Sequence, residues 1–463
     1  MKLKITIVLF LIGQLVAAQD NRIQKIDSLL NVLFTEKSIN GNILIAEKGT
    51  VLYKKSFGLA NETTQEKLNE NSIFELASIS KQFTAMAIAI LKEKGKLSYD
   101  DKLTKFFPEL YTYDTITIKN LVQHTSGLPD YMELMGGLFD KSKIATNKDM
   151  IAMLAQQRPN LMFEPNTKWE YSNTGYALLG SIIEKASGMS YGDYLKKAIF
   201  SPLKMTNTFV YTRRYAPKKV SNYAYGYVYN DSLKKYVLPD DFYATKEVIW
   251  LDGIVGDGTV NSTVNDLLKW DRALYTDKLL TKAGMDQVFE VGTLNDGSKT
   301  QYGFGWMIEQ NKDFGKLASH SGGWAGYKTF IDRHIDNDKT IIVLQNHDEV
   351  KLPVKSIRSI LYNQLLEVKK VRKDITLTNE QLQKFVGVYE IQQGFEMRIT
   401  VENNQLYTQL TGQSPFPLFA ETDTLFFLKV VDAQLQFEKD EKGGVSSAIL
   451  LQNGNKIEAK KIN

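Results

Sequence analysis

One stretch constrains the fold more than any other, because every residue from Phe83 to Leu91 is apolar or small. A helix that is apolar on all sides belongs in the centre of a domain, not on its surface. Ser78 and Lys81 stand just ahead of this run, three positions apart, so they share a helix face near the positive end of the helix dipole. An amine beside a hydroxyl can activate serine as a nucleophile without a histidine.

The Ser-x-x-Lys spacing is a weak signal by itself. It recurs at Ser201–Lys204 and Ser232–Lys235, where no apolar helix follows. A serine at a helix start is also typical of an N-cap, whose side-chain oxygen accepts a backbone hydrogen bond. A nucleophile and an N-cap are therefore both open interpretations of Ser78 until other motifs are considered.

Length and composition narrow the class of protein. At 463 residues the chain exceeds one ordinary core, so two or three domains are expected. A hydrophobic fraction of 43% and a charged fraction of 24% are typical of globular proteins. The net charge of +4, without a basic cluster interleaved with aromatic residues, argues against a nucleic-acid partner. The absence of cysteine excludes disulfides, a thiolate nucleophile and cysteine-ligated zinc.

The first 18 residues are typical of a cleaved signal peptide. Lys2 and Lys4 precede the apolar run Ile5–Ile12, and Val16-Ala-Ala18 supplies small residues at the cleavage position. The run is too short to span a bilayer comfortably, so no stable membrane insertion is expected after cleavage. The predicted location is a bacterial periplasm or the medium, and an uncleaved membrane anchor is the alternative.

The pattern predicts strands at both ends of residues 19–370 with helices between them. Such an order indicates an α/β (α+β) domain in which N- and C-terminal strands form one antiparallel sheet around a helical insert. Predicted strands are Asn42–Ala46, Thr50–Lys54, Phe304–Glu309, Tyr327–Ile331 and Thr340–Gln345. Predicted helices are Ile23–Phe34, the central helix ended by Gly95, Ile118–Gln123, Tyr176–Lys185, Val264–Leu274 with Ser262 as N-cap, and Leu352–Leu366.

Residues 375–463 have a different pattern, after a charged segment at Lys369–Lys373 that is interpreted as a linker. Apolar residues alternate with polar ones through several short runs, and Asn403-Asn404 and Asn453-Gly454 are typical hairpin turns. The prediction is a small antiparallel barrel or sandwich. The alternating positions are Met397, Ile399, Val401, Leu406, Thr408, Leu410, Phe426, Leu428, Val430, Ala433, Leu435 and Phe437.

Metal and cofactor chemistry is not indicated. The four histidines, at positions 124, 320, 334 and 347, form no i, i+4 pair with an acidic partner, so no metal site is predicted. A Gly-x-Ser-x-Gly nucleophile elbow is also absent. No cofactor is expected.

Two further segments carry groups that acyl transfer needs. In the predicted loop Glu170–Thr174, a Tyr171 anion near a lysine would be stabilised, and Tyr171 could move the proton of Ser78. Asn173 offers a donor and an acceptor for a substrate amide. His320-Ser-Gly-Gly323 precedes a predicted strand, where glycines let a ligand approach the backbone. An ordinary loop tyrosine, a capping asparagine and a tight turn are the alternatives.

In this order, Ser78-x-x-Lys81, Tyr171-x-Asn173 and His320-x-Gly322 resemble the three motifs of the serine beta-lactamase/penicillin-binding-protein superfamily. The branch that it resembles holds class C beta-lactamases, DD-peptidases, D-aminopeptidases and related esterases. The C-terminal region is similar to the lipocalin-like domain often fused to this group. Further matching segments are His124-Thr-Ser-Gly-Leu128, Pro202-Leu-Lys-Met205, Tyr302-Gly-Phe-Gly-Trp306, Phe385–Glu390, Val401–Tyr407 and Leu451–Gly454.

The resemblance implies a role for each motif residue. Ser78 would attack a carbonyl carbon and become acylated, while Lys81 and Tyr171 would move its proton. Asn173 would bind the substrate amide, and His320-x-Gly322 would help position a carboxylate or the leaving group. The backbone N–H groups of Ser78 and Gly323 would form the oxyanion hole.

One departure from the family pattern bears on the substrate. Beta-lactamases and DD-peptidases usually carry Lys-Thr-Gly or Lys-Ser-Gly where this chain has His320-Ser-Gly322. Lysine supplies a fixed positive charge, whereas a histidine with an ordinary pKa of about 6.5 is mostly neutral at pH 7. The departure resembles D-aminopeptidases and esterase-like members, and it argues against efficient beta-lactam hydrolysis.

The expected protein is a secreted serine hydrolase acting through an acyl-enzyme on Ser78. D-amino-acid peptides or peptidoglycan fragments are the expected substrates, with other small amides or esters accepted. The alternatives are a beta-lactamase or carboxylesterase, a penicillin-binding sensor that is acylated without turnover, and an adhesin that uses the barrel. Substrate stereochemistry, oligomeric state and the role of the barrel are not predicted from the sequence.

Overall fold

A computed structural model describes residues 21–242, 246–364, 374–392, 394–411, 415–429, 433–440, 443–452 and 455–462. The chain divides into two compact units, one up to Leu366 and the other from Glu367 onward. The predicted signal peptide at 1–18, the linker at 369–373 and the hairpin turn at Asn453-Gly454 lie outside the described residues.

The first unit contains strands and helices in the order β-rich, helical, β-rich. Its strands are β1 (Gly41–Glu47), β2 (Thr50–Phe57), β3 (Leu59–Asn61), β4 (Glu66–Lys67), β5 (Phe74–Glu75), β6 (Phe209–Val210), β7 (Val228–Asn230), β8 (Lys235–Val237), β9 (Val260–Ser262), β10 (Met307–Asn311), β11 (Gly315–Trp324), β12 (Tyr327–His334) and β13 (Lys339–Gln345). Its helices are α1 (21–35), α2 (Ser80–Glu93), α3 (Leu103–Phe106), α4 (Ile118–Val122), α5 (Tyr131–Leu138), α6 (Asn147–Gln157), α7 (Asn173–Ser187), α8 (Tyr191–Leu195), α9 (Glu247–Trp250), α10 (Val264–Ala273), α11 (Lys282–Val288) and α12 (Val354–Leu361). Short 3₁₀ turns lie at Ala77–Ile79, Pro108–Tyr113 and Pro239–Asp241, and a π-turn lies at Lys196–Phe200.

The main sheet joins the two ends of this unit. Its strand order is β10-β11-β12-β13-β1-β2, and all neighbours are antiparallel. Strand β1 pairs with β13 so that Gly41 lies opposite Gln345, across more than 300 residues of intervening chain. This arrangement confirms the predicted α/β fold with a helical insert.

Both faces of the sheet are covered. Successive side chains of β1 point to opposite faces, and apolar residues of β1 lie on both of them. Leu44 packs into the core that contains α2, whereas Ile43 and Ile45 face the opposite core, formed with α1 and α12. Helix α2 is buried at every position from Ser80 to Leu91, which confirms its predicted place in the centre of the unit.

The second unit is an eight-stranded closed barrel with one short helix, α13 (Asn379–Gln383). Tyr389 pairs with Lys461 and closes the barrel. The predicted turn at Asn403-Asn404 is present, with φ of 48° and 61°, because a two-residue hairpin of this kind needs left-handed residues. The strands are β14 (Gly387–Gln392), β15 (Phe395–Glu402), β16 (Gln405–Leu410), β17 (Phe416–Ala420), β18 (Leu425–Phe427), β19 (Ala433–Lys439), β20 (Val445–Gln452) and β21 (Asn455–Lys461).

Several predicted boundaries were wrong. The strand predicted at Phe304–Glu309 begins only at Met307, and the helix predicted at Leu352–Leu366 is helical at Val354–Leu361. Thr263, not Ser262, caps α10, because its side chain accepts a hydrogen bond from the backbone N–H of Asp266. Strand β11 was missed, since its serine and glycine content hides the alternation.

Candidate active site

Ser78 lies in the 3₁₀ turn directly ahead of α2. The preceding residue, Ala77, has φ of +48°, a left-handed conformation that costs a non-glycine residue about 1–2 kcal/mol. The carbonyl of Leu76 is fixed by the hydroxyl of Thr329 at 2.8 Å. Ser78 is half-buried, and the N-cap of α2 is Ile79, which makes no side-chain capping bond. The N-cap interpretation of Ser78 was therefore wrong.

The Lys81 ammonium group is held by three acceptors. Lys81 is fully buried, and its Nζ donates to Ser78 Oγ at 3.2 Å. It also donates to Asn173 Oδ1 at 2.9 Å and to the carbonyl oxygen of Asp257 at 2.8 Å. Three acceptors match the three N–H bonds of an ammonium, so the desolvated charge is fully hydrogen-bonded and directed at the serine.

Asn173 reaches Lys81 from the start of α7. The prediction placed Asn173 in a loop, but it is the first residue of the helix, after the N-cap Ser172, whose side chain accepts from the backbone N–H of Gly175. Its amide nitrogen donates to Asp130 Oδ2 at 3.3 Å. The side chain is thus oriented by Lys81 on one side and by a carboxylate on the other.

Tyr171 lies above Lys81. Its ring centroid is 4.9 Å from Lys81 Nζ, and the side chain is 37% exposed. Within the described part of the chain, the Tyr171 hydroxyl has no hydrogen bond to Ser78 or Lys81. The structure therefore brings the ring to the site, and the proton-transfer role of its hydroxyl stays a prediction.

The ring of His124 packs against the ring of Tyr171. The two ring centroids are 4.4 Å apart, and His124 Nδ1 accepts from the backbone N–H of Ser172 at 3.0 Å. Burial, together with the charge of Lys81, holds the pKa of His124 well below its usual range. His124 is therefore a neutral ring that fixes the segment carrying Tyr171.

His320 lies in β11, and its segment leads into β12 as predicted; only 4% of His320 is exposed. Its Nε2 lies 2.9 Å from the hydroxyl of Tyr302, and its Nδ1 lies 2.6 Å from the carbonyl of Ser321. Burial lowers the pKa of His320 to about 4, with a smaller contribution from Lys81. Both ring nitrogens are thus occupied by protein groups, and a direct contact between His320 and substrate stays a prediction.

The two glycines after His320 have different surroundings. A Cβ on Gly322 would lie 2.2 Å from both the carbonyl of Leu76 and the hydroxyl of Thr329, so only glycine lets β11 pack against the serine turn. A Cβ on Gly323 would meet nothing within 4 Å, and Gly323 lies at the cavity beside Ser78. This position suits the predicted oxyanion role of the Gly323 N–H group.

A cavity of about 270 Å³ opens at Ser78. This volume is near the lower end of ligand pockets, roughly 300–1,000 Å³. Its lining includes four large apolar side chains and three carboxyl groups. The residues concerned are Met132, Leu251, Ile254 and Trp324 on the apolar side and Glu75, Asp252 and Asp257 on the acidic side.

Sequence reasoning missed Asp257 and Tyr131. The Asp257 carboxyl accepts from the Tyr131 hydroxyl at 3.0 Å, and burial, opposed by the charge of Lys81, raises its pKa. Its backbone carbonyl is the group that holds Lys81. Every residue has a backbone carbonyl, so the sequence does not reveal which one accepts from Lys81. The glycines around Asp257 indicate only an irregular segment that passes close to other backbone.

Over the ranges that the structure describes, no group of three or more His, Asp or Glu side chains is arranged to hold a metal ion. In the same ranges, no helix has the length and apolarity required to cross a bilayer.

Comparisons with known proteins identify the family of the first unit. The model of the family described as Beta-lactamase matches residues 26–362, and a domain of unknown function (DUF3471) matches residues 371–461. Penicillin-binding protein 4* of Bacillus subtilis (strain 168) is 42% identical over 448 residues, which are 95% of this chain and 99% of that protein.

Solved structures show the same fold. The octameric penicillin-binding protein homologue from Pyrococcus abyssi superposes with a TM-score of 0.65 and 25% identity, over 95% of this chain and 100% of that one. The D-amino acid amidase from Ochrobactrum anthropi SV3, complexed with L-phenylalanine amide, has a TM-score of 0.60 and 24% identity, over 74% of this chain and 99% of that one.

Proposed function

The chain belongs to the beta-lactamase family, whose members include serine hydrolases, and on that premise we propose that it hydrolyses small amides through an acyl-enzyme on Ser78. Peptides or amides of D-amino acids, including peptidoglycan fragments, are the proposed substrates, and esters are accepted as well. The proposed location is the periplasm or the medium, on the basis of the signal-like residues 1–18.

One observation carries this proposal: a fully buried ammonium, Lys81, donates to the hydroxyl of a half-buried serine that opens into a cavity. A buried charge costs free energy unless it is hydrogen-bonded. Here the charge is compensated by Asn173 and by the carbonyl of Asp257, and the remaining N–H points at Ser78 Oγ. Such an arrangement lowers the free energy of a developing serine alkoxide.

The reaction would proceed in two steps. Ser78 Oγ forms a bond with the carbonyl carbon, the N–H groups of Ser78 and Gly323 bind the oxyanion, and the serine proton reaches the leaving amine by way of Tyr171. The C–N bond then breaks and leaves an ester on Ser78. Water attacks this ester, and the acid is released as the Ser78 hydroxyl regains a proton. Each oxyanion donor is worth about 2.7–4 kcal/mol in the transition state.

Support for the substrate class comes from the site and from the relatives. His320 is neutral and enclosed, so the site lacks the fixed positive charge that a lysine would supply at this position. The solved amidase shares the fold, which shows that a scaffold of this kind can serve amino-acid amides. The cavity volume suits a small substrate.

The test compares Ser78→Ala with Ser201→Ala, a matched control that has the same Ser-x-x-Lys spacing but is exposed. Turnover of D-alanyl p-nitroanilide, p-nitrophenyl butyrate and nitrocefin is measured, together with intact mass after exposure to a fluorescent penicillin. We expect Ser78→Ala to lose turnover and labelling, and Ser201→Ala to keep both. Unchanged turnover in Ser78→Ala would overturn the proposal, and stable labelling without any turnover in the wild type would indicate a sensor instead.

A further inference from the structure

The cavity at Ser78 is acidic. Of the residues that line it, Glu75, Asp252 and Asp257 carry carboxyl groups, and none is a lysine or an arginine. The three N–H groups of the Lys81 ammonium donate to Ser78, to Asn173 and to the carbonyl of Asp257, so none is left for a substrate anion. A substrate group that enters this space therefore meets carboxyl groups, which favours a cation over an anion.

The three carboxyl groups differ in how they are bound. Asp257 accepts from Tyr131, and Asp252 accepts from the backbone N–H and the guanidinium of Arg214, at 2.6 and 3.2 Å. The Glu75 carboxyl, by contrast, has no hydrogen bond or ion pair with another described residue, although most of the side chain is removed from solvent. A poorly hydrated carboxyl without a partner is costly, so a ligand that supplies a donor to Glu75 gains binding energy.

Strand β5 fixes the distance between Glu75 and the nucleophile. Glu75 pairs with Asn261 of β9, and the chain continues through Leu76 and Ala77 directly to Ser78. The carboxyl and the nucleophile therefore share one cavity and lie three residues apart on one short segment. This arrangement suits a substrate whose cationic group is only a few bonds away from the carbonyl that Ser78 attacks.

We propose that Glu75 binds the free α-ammonium group of the substrate, so that the enzyme selects amino-acid amides and peptide N-termini over N-acylated substrates. This inference rests on the proposed hydrolysis at Ser78. The adjoining apolar wall would take the side chain of the first residue. The site thus acts on the amino-terminal residue of its substrate and releases it with a free amine. The wall consists of Met132, Leu251, Ile254 and Trp324.

The electrostatic surroundings of Glu75 agree with this role. Burial raises the pKa of Glu75 to about 8, against the lowering effect of Arg214 and Arg213 and with smaller raising effects from Asp252 and Asp240. The phenols of Tyr223 and Tyr327 also interact with Glu75, and both stay neutral because burial raises their pKa. An ammonium beside Glu75 favours the ionised carboxylate.

A pH dependence follows for free-amine substrates. Their kcat/KM should rise between pH 6 and 8 as Glu75 loses its proton, and should fall above the pKa of the substrate amine, about 7.7–8.0. Substrates without an amine should lack the rise that Glu75 causes.

The first experiment uses the wild-type chain alone. D-Phenylalanyl p-nitroanilide is compared with its N-acetyl derivative and with 3-phenylpropionyl p-nitroanilide, which lacks the amine but keeps the side chain. We expect the free amine to be favoured by about 10- to 100-fold in kcat/KM, the range of a hydrogen bond to a charged group. Equal rates on all three would overturn the inference whatever any variant does.

The second experiment compares Glu75→Gln with Glu247→Gln, a control that removes an exposed carboxyl from the nearby helix α9. Glu75→Gln should raise KM for the free-amine substrate by about 10-fold or more and abolish the rise between pH 6 and 8. It should leave 3-phenylpropionyl p-nitroanilide nearly unaffected, whereas Glu247→Gln should change neither. An unchanged preference for the free amine in an active Glu75→Gln variant would contradict the role of Glu75.

The two proposals fail in different ways. If turnover survives in Ser78→Ala, both the proposed function and this inference are wrong. Turnover that depends on Ser78 but shows no preference for a free amine removes only the role of Glu75.

Discussion

Among the described residues of the first unit, two cationic side chains lie fully buried, Lys81 and Arg333, and their surroundings differ. Lys81 is held by a serine, an amide and a backbone carbonyl at the floor of a cavity. Arg333, on β12, donates to Asp271 Oδ1 at 2.5 Å and lies against the rings of Tyr275, Phe289 and Trp306.

The comparison shows that burial of a charge does not by itself mark an active site. Asp271 pairs with Arg333 within the core, and its second carboxylate oxygen accepts from Thr340 and from Arg272. The partners of Lys81 in the described structure are a hydroxyl, an amide oxygen and a backbone carbonyl rather than a carboxylate, so its charge is available to a group that becomes anionic at Ser78. A buried cation without a contacting anion, beside a nucleophile and a cavity, is the feature that separates the two sites.

The largest expected effect is on the Lys81 site. Lys81→Met keeps a long unbranched side chain but removes the charge, and we expect kcat/KM to fall by about 10³-fold or more, because general acid–base assistance of this kind is worth up to about 10⁴. Lys92→Met, in the last turn of the same helix, serves as the control and should retain activity. Near-wild-type rates in Lys81→Met would remove the distinction between the two buried cations.

The second prediction concerns the Arg333 site. Asp271→Asn leaves Arg333 buried without its anion and should lower the free energy of unfolding by about 3–5 kcal/mol. Asp338→Asn, at the partly exposed partner of Arg272, should cost less than about 1 kcal/mol. Urea denaturation measures both variants. If the folded Asp271→Asn protein lost activity with no loss of stability, Asp271 would belong with the active site.

The third prediction uses pH. His320 has its pKa lowered to about 4, and His124 is shifted in the same direction. Between about pH 6.5 and 4 the unfolded chain therefore binds more protons than the folded protein, so stability falls as pH falls through this window. Across this pH window, the lowered pKa of His320 changes the free energy of unfolding by roughly 3 kcal/mol. The difference in unfolding free energy between wild type and His320→Gln should shrink towards pH 4, and a constant difference would refute the shift.

The smallest predicted effect compares the two glycines of β11. Gly322→Ala places a methyl group against Leu76 and Thr329 and should cost about 1–3 kcal/mol and displace the serine turn. Gly323→Ala faces open space and should change stability by less than about 0.5 kcal/mol. Thermal unfolding and penicillin labelling measure both effects, and equal stability of the two variants would show that the packing at Gly322 is not limiting.

The sequence predicted the elements with strong periodicity. The apolar run at Phe83–Leu91 predicted a central helix, and the alternation through Leu435 and Phe437 predicted an inward face of the barrel. The spacing of Ser78 and Lys81 predicted their contact, which the structure contains. These features are local, because each depends on residues within a few turns or one strand.

Other features could not be predicted because their causes are not local. Strand β11 has little alternation of its own, and its conformation depends on β10 and β12 beside it. The enclosure of His320 depends on Tyr302, eighteen positions away in the chain.

By itself the sequence determined which chemical groups the chain possesses and which of them lie close along it: a serine and a lysine three positions apart, and no cysteine. Only the tertiary structure decided which distant groups surround them. The carbonyl of Asp257 and the amide of Asn173 reach Lys81, and the Glu75 carboxyl shares a cavity with Ser78. Periodicity records which face of an element is apolar, whereas the partner of a buried polar group is set by packing between segments far apart in the chain.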